Sequence, residues 1–122
     1  MNLAHQEEYI EKRSRFIAFL YVVKDDEEFR SALEAVRAQH PKARHILRCG
    51  RFLNRFGVPV LTSSEDKEPI SSMKRLSGLF EKKDIVGYGV FIVRYFGGTK
   101  LGASHLDRVY FGLGANLLSY CL

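Results

Sequence analysis

Apolar residues in this chain fall into two kinds of block: runs that are apolar at every position, and runs that recur every three or four. Ser14 to Val23 reads SRFIAFLYVV. Both parities are apolar after Arg15, which predicts a strand covered on both faces. Asp25-Asp26 then supplies a helix cap. Phe29, Leu33 and Val36, with Ala32 beside them, make one helical face. Pro41 disfavours helical geometry in the residue before it, so this helix ends near Gln39 or His40. His45 to Leu53 reads as a second strand and Val58 to Ser63 as a third. The turn residues Asn54 to Gly57 join them as a hairpin, and Pro59 marks an edge or a strand start. After the polar loop Ser64 to Pro69, Ser71 or Ser72 can cap a second helix carrying Met73, Leu76, Leu79 and Phe80. Gly87 to Phe96 is a fourth strand, expected to be the most buried, with glycines that let a helix approach. Gly97-Gly98 breaks it. Ser104 to Asp107 resembles a weak capping box for a last helix running to about Ser119. The order β-α-β-β-α-β-α predicts the α+β class, as a two-layer sandwich with helices on one side of a sheet.

A length of 122 residues fits one domain. No apolar run is long enough to span a bilayer. The start, Met1 to Glu8, has no apolar signal core, so the expectation is a cytoplasmic protein with no membrane partner. Cys49 and Cys121 lie too far apart to suggest a metal or redox pair and are expected to be reduced and structural.

The net charge of +5 is unevenly spread. No acid occurs from Ala35 to Ser64, a window holding Arg37, Lys42, Arg44, Arg48, Arg51 and Arg55. Such clustering suits a nucleic acid or an acidic protein. It also suits a plain solvated surface, and composition leaves both readings open. The candidate basic surface is Arg44, His45, Arg48, Arg51 and Arg55.

No Ser-His-Asp order, G-x-S-x-G or H-E-x-x-H stands out, so no catalytic set is assigned and a non-enzyme is expected. His45 and Cys49 share a strand parity but lie roughly 13 Å apart, too far to share a metal. Glu65, Asp66 and Glu68 form an acidic loop that could hold a hard cation, or could simply face a helix dipole. Neither a metal nor a cofactor is expected. The stretch RYFGGTKLG leaves the fourth strand as a basic, glycine-rich elbow. Arg94, Gly97, Gly98, Lys100, Gly102 and Arg108 have the makings of an anion cradle or partner surface; the same glycines would serve a tight turn. The last helix carries a core stripe, with Phe111, Leu118, Tyr120 and Leu122 partly outside it. That surplus reads as a wide buried face or as a surface for self-association.

The segment VRYFGGTKLGASHLDRVYFG, Val93 to Gly112, closely resembles the signature of the IMPACT family. KRSRFIAFL and HPKARH fit as well. SSEDKEP, Ser63 to Pro69, is similar to the family's Ser-Ser-Asp-Asp-Gly-Glu-Pro loop, with Lys67 in place of glycine. The resemblance spans roughly residues 12–118 and implies a single IMPACT-type domain across 1–122, with its core at about 12–119. It implies a fold similar to the second domain of a small-subunit ribosomal protein and to domain IV of elongation factor G. It also implies a setting in translational regulation and stress response, with a ribosome-associated protein or RNA as partner. Eukaryotic members bind the activator of the amino-acid-starvation kinase, which gives the alternative of a protein-only inhibitor of that activation. A small anion sensor or enzyme built on the elbow is a third reading. Neither the RWD domain of eukaryotic members nor the ferredoxin-like domain of bacterial ones lies within these residues. The family's Gly-Thr-Ala-Gly run is replaced by Ser71-Ser72-Met73-Lys74, and Cys49-Gly50 stands where the family has Ala-aromatic. His45 and Arg51 match.

Overall fold

The computed structural model describes residues 1–122. Its elements are β1 (Asn2–Glu11), β2 (Ser14–Val22), α1 (Asp26–Gln39), β3 (Ile46–Leu53), β4 (Pro59–Ser64), α2 (Ser72–Lys82), β5 (Tyr88–Tyr95) and α3 (Ala103–Leu118). The strands form one antiparallel sheet in the order β1-β2-β5-β3-β4. The α+β class is as expected, and the strand leading into the elbow is the central one. Pro59 opens an edge strand, where its missing N–H costs no ladder bond.

Two features differ from expectation. The first is β1, absent from the anticipated order. Its residues, NLAHQEEYIE, bury little and alternate weakly, so no hydrophobic period announces a strand. What holds it is the main-chain ladder to β2, together with contacts to α3. The Asn116 amide donates to Glu7, His105 meets Glu11, and Tyr120 stacks on His5 at 3.7 Å between ring centroids. The second difference is the layering. Alternate residues of β2, β3 and β5 point to opposite faces, and each face has its own core. Phe16, Ala18, Leu20, Leu47, Cys49, Val90 and Ile92 pack beneath α2 and α3. Ile17, Phe19, Tyr21, Ile46, Phe52, Phe91 and Val93 pack beneath α1. The sheet is therefore covered on both sides rather than one, as the two-sided apolar reading of β2 already required.

Close packing fixes several glycines. Gly50 and Gly89 are cross-strand partners and together form the floor under Phe29. An ideal Cβ on Gly50 would lie 2.6 Å from the Phe29 ring, and one on Gly89 3.0 Å from it. The departure at Cys49-Gly50 thus exchanges a side chain for the Phe29 ring of α1. Gly114 plays a similar part where α3 crosses α2, its Cβ position lying 2.6 Å from Leu76. Gly112, one face away, meets nothing. The apolar surplus of α3 is divided: Leu118 is buried and Arg75 lies over Phe111 at 4.3 Å, while Tyr120 and Leu122 stay exposed. No helix is long and apolar enough to cross a membrane.

Gly112→Ala should raise stability by about 1 kcal/mol, because only helix propensity changes. Gly97→Ala should lower it by more than about 2 kcal/mol, since its Cβ would fall 2.1 Å from the Arg13 carbonyl carbon. Chemical denaturation of both variants checks the opposite signs.

A candidate binding cleft at one end of the sheet

The antiparallel pairings Glu11–Ser14, Arg15–Tyr95, Ile46–Val93 and Arg48–Ser64 bring four strand ends together. At this end lie the close of β5, the β1–β2 turn, the start of β3 and the loop after β4. The elbow is seated by Ser14. Its buried hydroxyl accepts from Arg94 Nη2 and from the Gly97 amide, each at 3.3 Å. Gly97 lies so close to the Arg13 backbone that no side chain fits. Gly98 and Gly102, at φ of 93° and 82°, take the left-handed conformations that glycine adopts without cost.

Arg94 stands at the centre of this end. Its guanidinium lies between the rings of Phe16 and Phe96, 5.7 and 5.4 Å from their centroids. Two cavities share Arg94, Phe96 and Glu68 as a common wall. One, of about 530 Å³, is completed by Lys42, Arg44, His45 and Tyr95. The other, of about 490 Å³, is bounded by Lys100, Gly102, Ala103 and Leu106 among others. Arg15, Arg30, Arg37, Arg48, Arg51 and Arg75 each pair with a carboxylate. Lys42, Arg44, Arg94 and Lys100 do not. Phe96 remains 60% exposed, an aromatic face held among unpaired cations.

The acidic loop divides its labour, and its three carboxylates do not converge on a cation position. Glu65 accepts from the amides of Met73 and Lys74 and from the Ser72 hydroxyl, at 2.9–3.0 Å. It caps α2 from outside, the role expected of Ser71 or Ser72; Ser71 makes no side-chain cap. Asp66 accepts from the Ile46 amide through its carboxylate, at 2.7 Å. Its carbonyl accepts from His45 Nδ1, also at 2.7 Å. A carbonyl only accepts, so that proton sits on Nδ1, and the ring turns Nε2 toward Glu68, 3.8 Å away. Glu68 alone faces the cleft. Lys67, where the resembled motif has glycine, is held at φ 73°, a strained conformation for a side-chain-bearing residue.

Several candidate residues lie elsewhere. Arg108 donates to Ser104 and borders a separate groove of about 300 Å³ beside Tyr9. Arg48 and Arg51 project from opposite faces of β3; Arg48 pairs with Asp66 and Arg51 with Asp84. Arg55 sits in the far hairpin turn over Phe56. The basic window is therefore divided, and only Arg44 and His45 of the candidate basic surface join the cleft. Asp107, expected to cap α3, reaches instead to the Ser71 amide and to Arg75. Gly102 occupies the α3 cap position without a side-chain bond, so the first amides of the helix open beside Lys100.

Sequence reasoning missed Ser14, Phe96 and Tyr110 as members of this end. Phe96 carried one signal, an aromatic directly before Gly97-Gly98. Tyr110 is wholly buried, and its hydroxyl has no partner; nor has the buried Arg94 Nε. Burial pushes the Tyr110 phenol up, Glu68 adds to the shift and Arg94 opposes it. Two orphan donors near one carboxylate are unusual, because buried polar groups are nearly always paired. Beside the cleft, desolvation first and Arg15 second lower the His40 pKa, and Tyr95 hydrogen-bonds its Nδ1 at 2.7 Å. Burial lifts the Cys49 thiol to about 12 and the half-buried Cys121 to about 11.

The Impact N-terminal domain model matches residues 12–118 of the chain. The chain belongs to the IMPACT family. An IMPACT family member in the pol 5′ region of Thermus thermophilus is 36% identical over 107 residues, covering 88% of this chain and 56% of its own length. The IMPACT family member YigZ of Escherichia coli K12 is 34% identical over 110 residues, covering 83% and 50%. This chain thus spans about half the length of these relatives. Among solved structures, a hypothetical protein superposes with a TM-score of 0.82 at 28% identity, over 96% of this chain and 57% of that one. The two-domain translational regulator Yih1 superposes with a TM-score of 0.56 at 20% identity, over 97% and 45%, and shares the fold. The IMPACT loop motif and elbow motif are the two segments that meet at the cleft.

Glu65→Ala should cost about 1–2 kcal/mol, as loss of a helix cap does. Glu68→Ala should change stability by less than about 0.5 kcal/mol. Thermal melts of the two variants separate the brace from the cleft residue.

Proposed function

We propose that this IMPACT domain is a non-catalytic binding module in translational control, and that it contacts RNA through the cleft end of its sheet. One observation carries the reading: Lys42, Arg44, Arg94 and Lys100, without carboxylate partners, surround the exposed Phe96. Unpaired cations attract phosphates, and an exposed aromatic among them offers a base a stacking face. Lys12 and Arg13, exposed in the adjoining β1–β2 turn, widen the same field. Membership of a family whose eukaryotic members act in translation supports the setting.

A second reading, a protein partner, has an observation of its own. At the opposite end of the sheet the β3–β4 hairpin exposes Leu53, Phe56, Val58 and Leu61, an apolar cluster with no fold role. Such a surface would hold a protein partner without nucleic acid, and that complex would survive nuclease.

The test is binding of labelled RNA across a salt series. Wild-type affinity should fall with salt. Lys42→Glu/Arg44→Glu/Lys100→Glu should weaken binding at least about tenfold and flatten the logarithmic salt slope by about 2, three contacts at about 0.7 each. Arg55→Glu/Lys82→Glu/Lys83→Glu, at the far end, should change it little. Salt-independent binding, or equal loss in both variants, contradicts the reading.

A further inference from the structure

We propose that the cleft binds single-stranded RNA as a two-nucleotide site, with Phe96 between two nucleosides and Arg94 holding the phosphodiester that joins them. This inference rests on the RNA reading above and adds a strand state, a footprint and roles for the residues within it.

The cavities of about 530 and 490 Å³ each fall in the size range that encloses a small organic ligand. Arg94, Phe96 and Glu68 border both. A ligand that fills both must cross this wall, and it must be anionic where it passes Arg94. A dinucleotide has that form: two flat, largely apolar bodies joined by one negative charge. Arg94 forms no ion pair, although Glu68 shares its wall, and Ser14 together with the flanking rings holds its guanidinium in place. The outer cations divide between the arms, Lys42 and Arg44 on one side and Lys100 on the other, where phosphates on either side of the pair would emerge.

A duplex does not fit this arrangement. Its bases are stacked and paired, so they cannot enter separate cavities on either side of a side chain; an unpaired strand can splay them. Phe96 is exposed and is left over from the core, with the Arg94 guanidinium 5.4 Å from its ring centroid, and an exposed aromatic offers a stacking platform. The acceptor in the wall, the Glu68 carboxylate, suits ligand groups that donate hydrogen bonds, namely ribose hydroxyls and base amines.

The experiment measures fluorescence anisotropy with a labelled single-stranded decaribonucleotide and with its duplex, at one fixed salt concentration. The proteins are the wild type, Phe96→Ala and Phe96→Tyr, each checked for an unchanged melting temperature. Loss of one stacked base predicts about five- to hundredfold weaker single-strand binding for Phe96→Ala. Phe96→Tyr should restore it, and duplex binding should be the same in all three. In parallel, a dinucleoside monophosphate titrated into ¹⁵N-labelled protein should shift amides on both arms, around Lys42–His45 and Lys100–Ala103. Salt-sensitive RNA binding that ignores Phe96, or shifts confined to one arm, overturns the two-nucleotide site and leaves the basic-end reading standing. Absence of all RNA binding overturns both.

Discussion

Strand β5 is hydrogen-bonded on both edges and packed on both faces, and this constraint shapes the rest of the molecule. Val90 and Ile92 belong to one core, Phe91 and Val93 to the other. A strand so enclosed can present polar chemistry only where it stops. It stops at Arg94 and Tyr95, and Gly97 turns the chain away at a point too close to the Arg13 backbone for any side chain. The neighbouring strands meet the same limit, because the antiparallel register brings their own starts and ends to this edge. Charge accumulates here because the interior excludes it.

The acidic loop shows how a charged segment can build a site without being one. Glu65 ties the loop to the first turn of α2, and Asp66 ties it to the first residue of β3. Those two bonds hold Glu68 over the cleft opposite Arg94. Ser14 does equivalent work on the other side, holding both Arg94 and the Gly97 amide. Arg94 and the loop that carries Glu68 are thus positioned by buried or partly buried hydrogen bonds from neighbouring strands. This is the arrangement that keeps a site formed before its ligand arrives.

Much of the fold could be read from hydrophobic period alone, because β2, β5 and the three helices bury faces that write a pattern. β1 could not, since it is held by main-chain bonds and by polar contacts with α3 that leave no apolar repeat. The two-sided layering was implied by the double apolar parity of β2 but was lost when all three helices were placed on one side. The site was half legible. The elbow and the loop announced themselves as motifs; their meeting is a long-range event that no local spacing encodes. The basic window does not gather into one surface, for a plain geometric reason: Arg48 and Arg51 lie on opposite faces of one strand and are paired. Lys42, from the same window, lines the cleft because the end of α1 delivers it there. Tyr110 read as core by its spacing and is core; its orphan hydroxyl is visible only in three dimensions.

RNA should meet this domain at the end of the sheet that carries Arg94 and Phe96, not at the hairpin end. Photo-crosslinking with single-stranded RNA carrying 4-thiouridine, followed by mass spectrometry of the adducts, tests it most directly. Adducts should fall in the peptides that hold Lys42–His45 and Arg94–Lys100. Adducts concentrated in Leu53–Val58, or none at all at low salt, would contradict it.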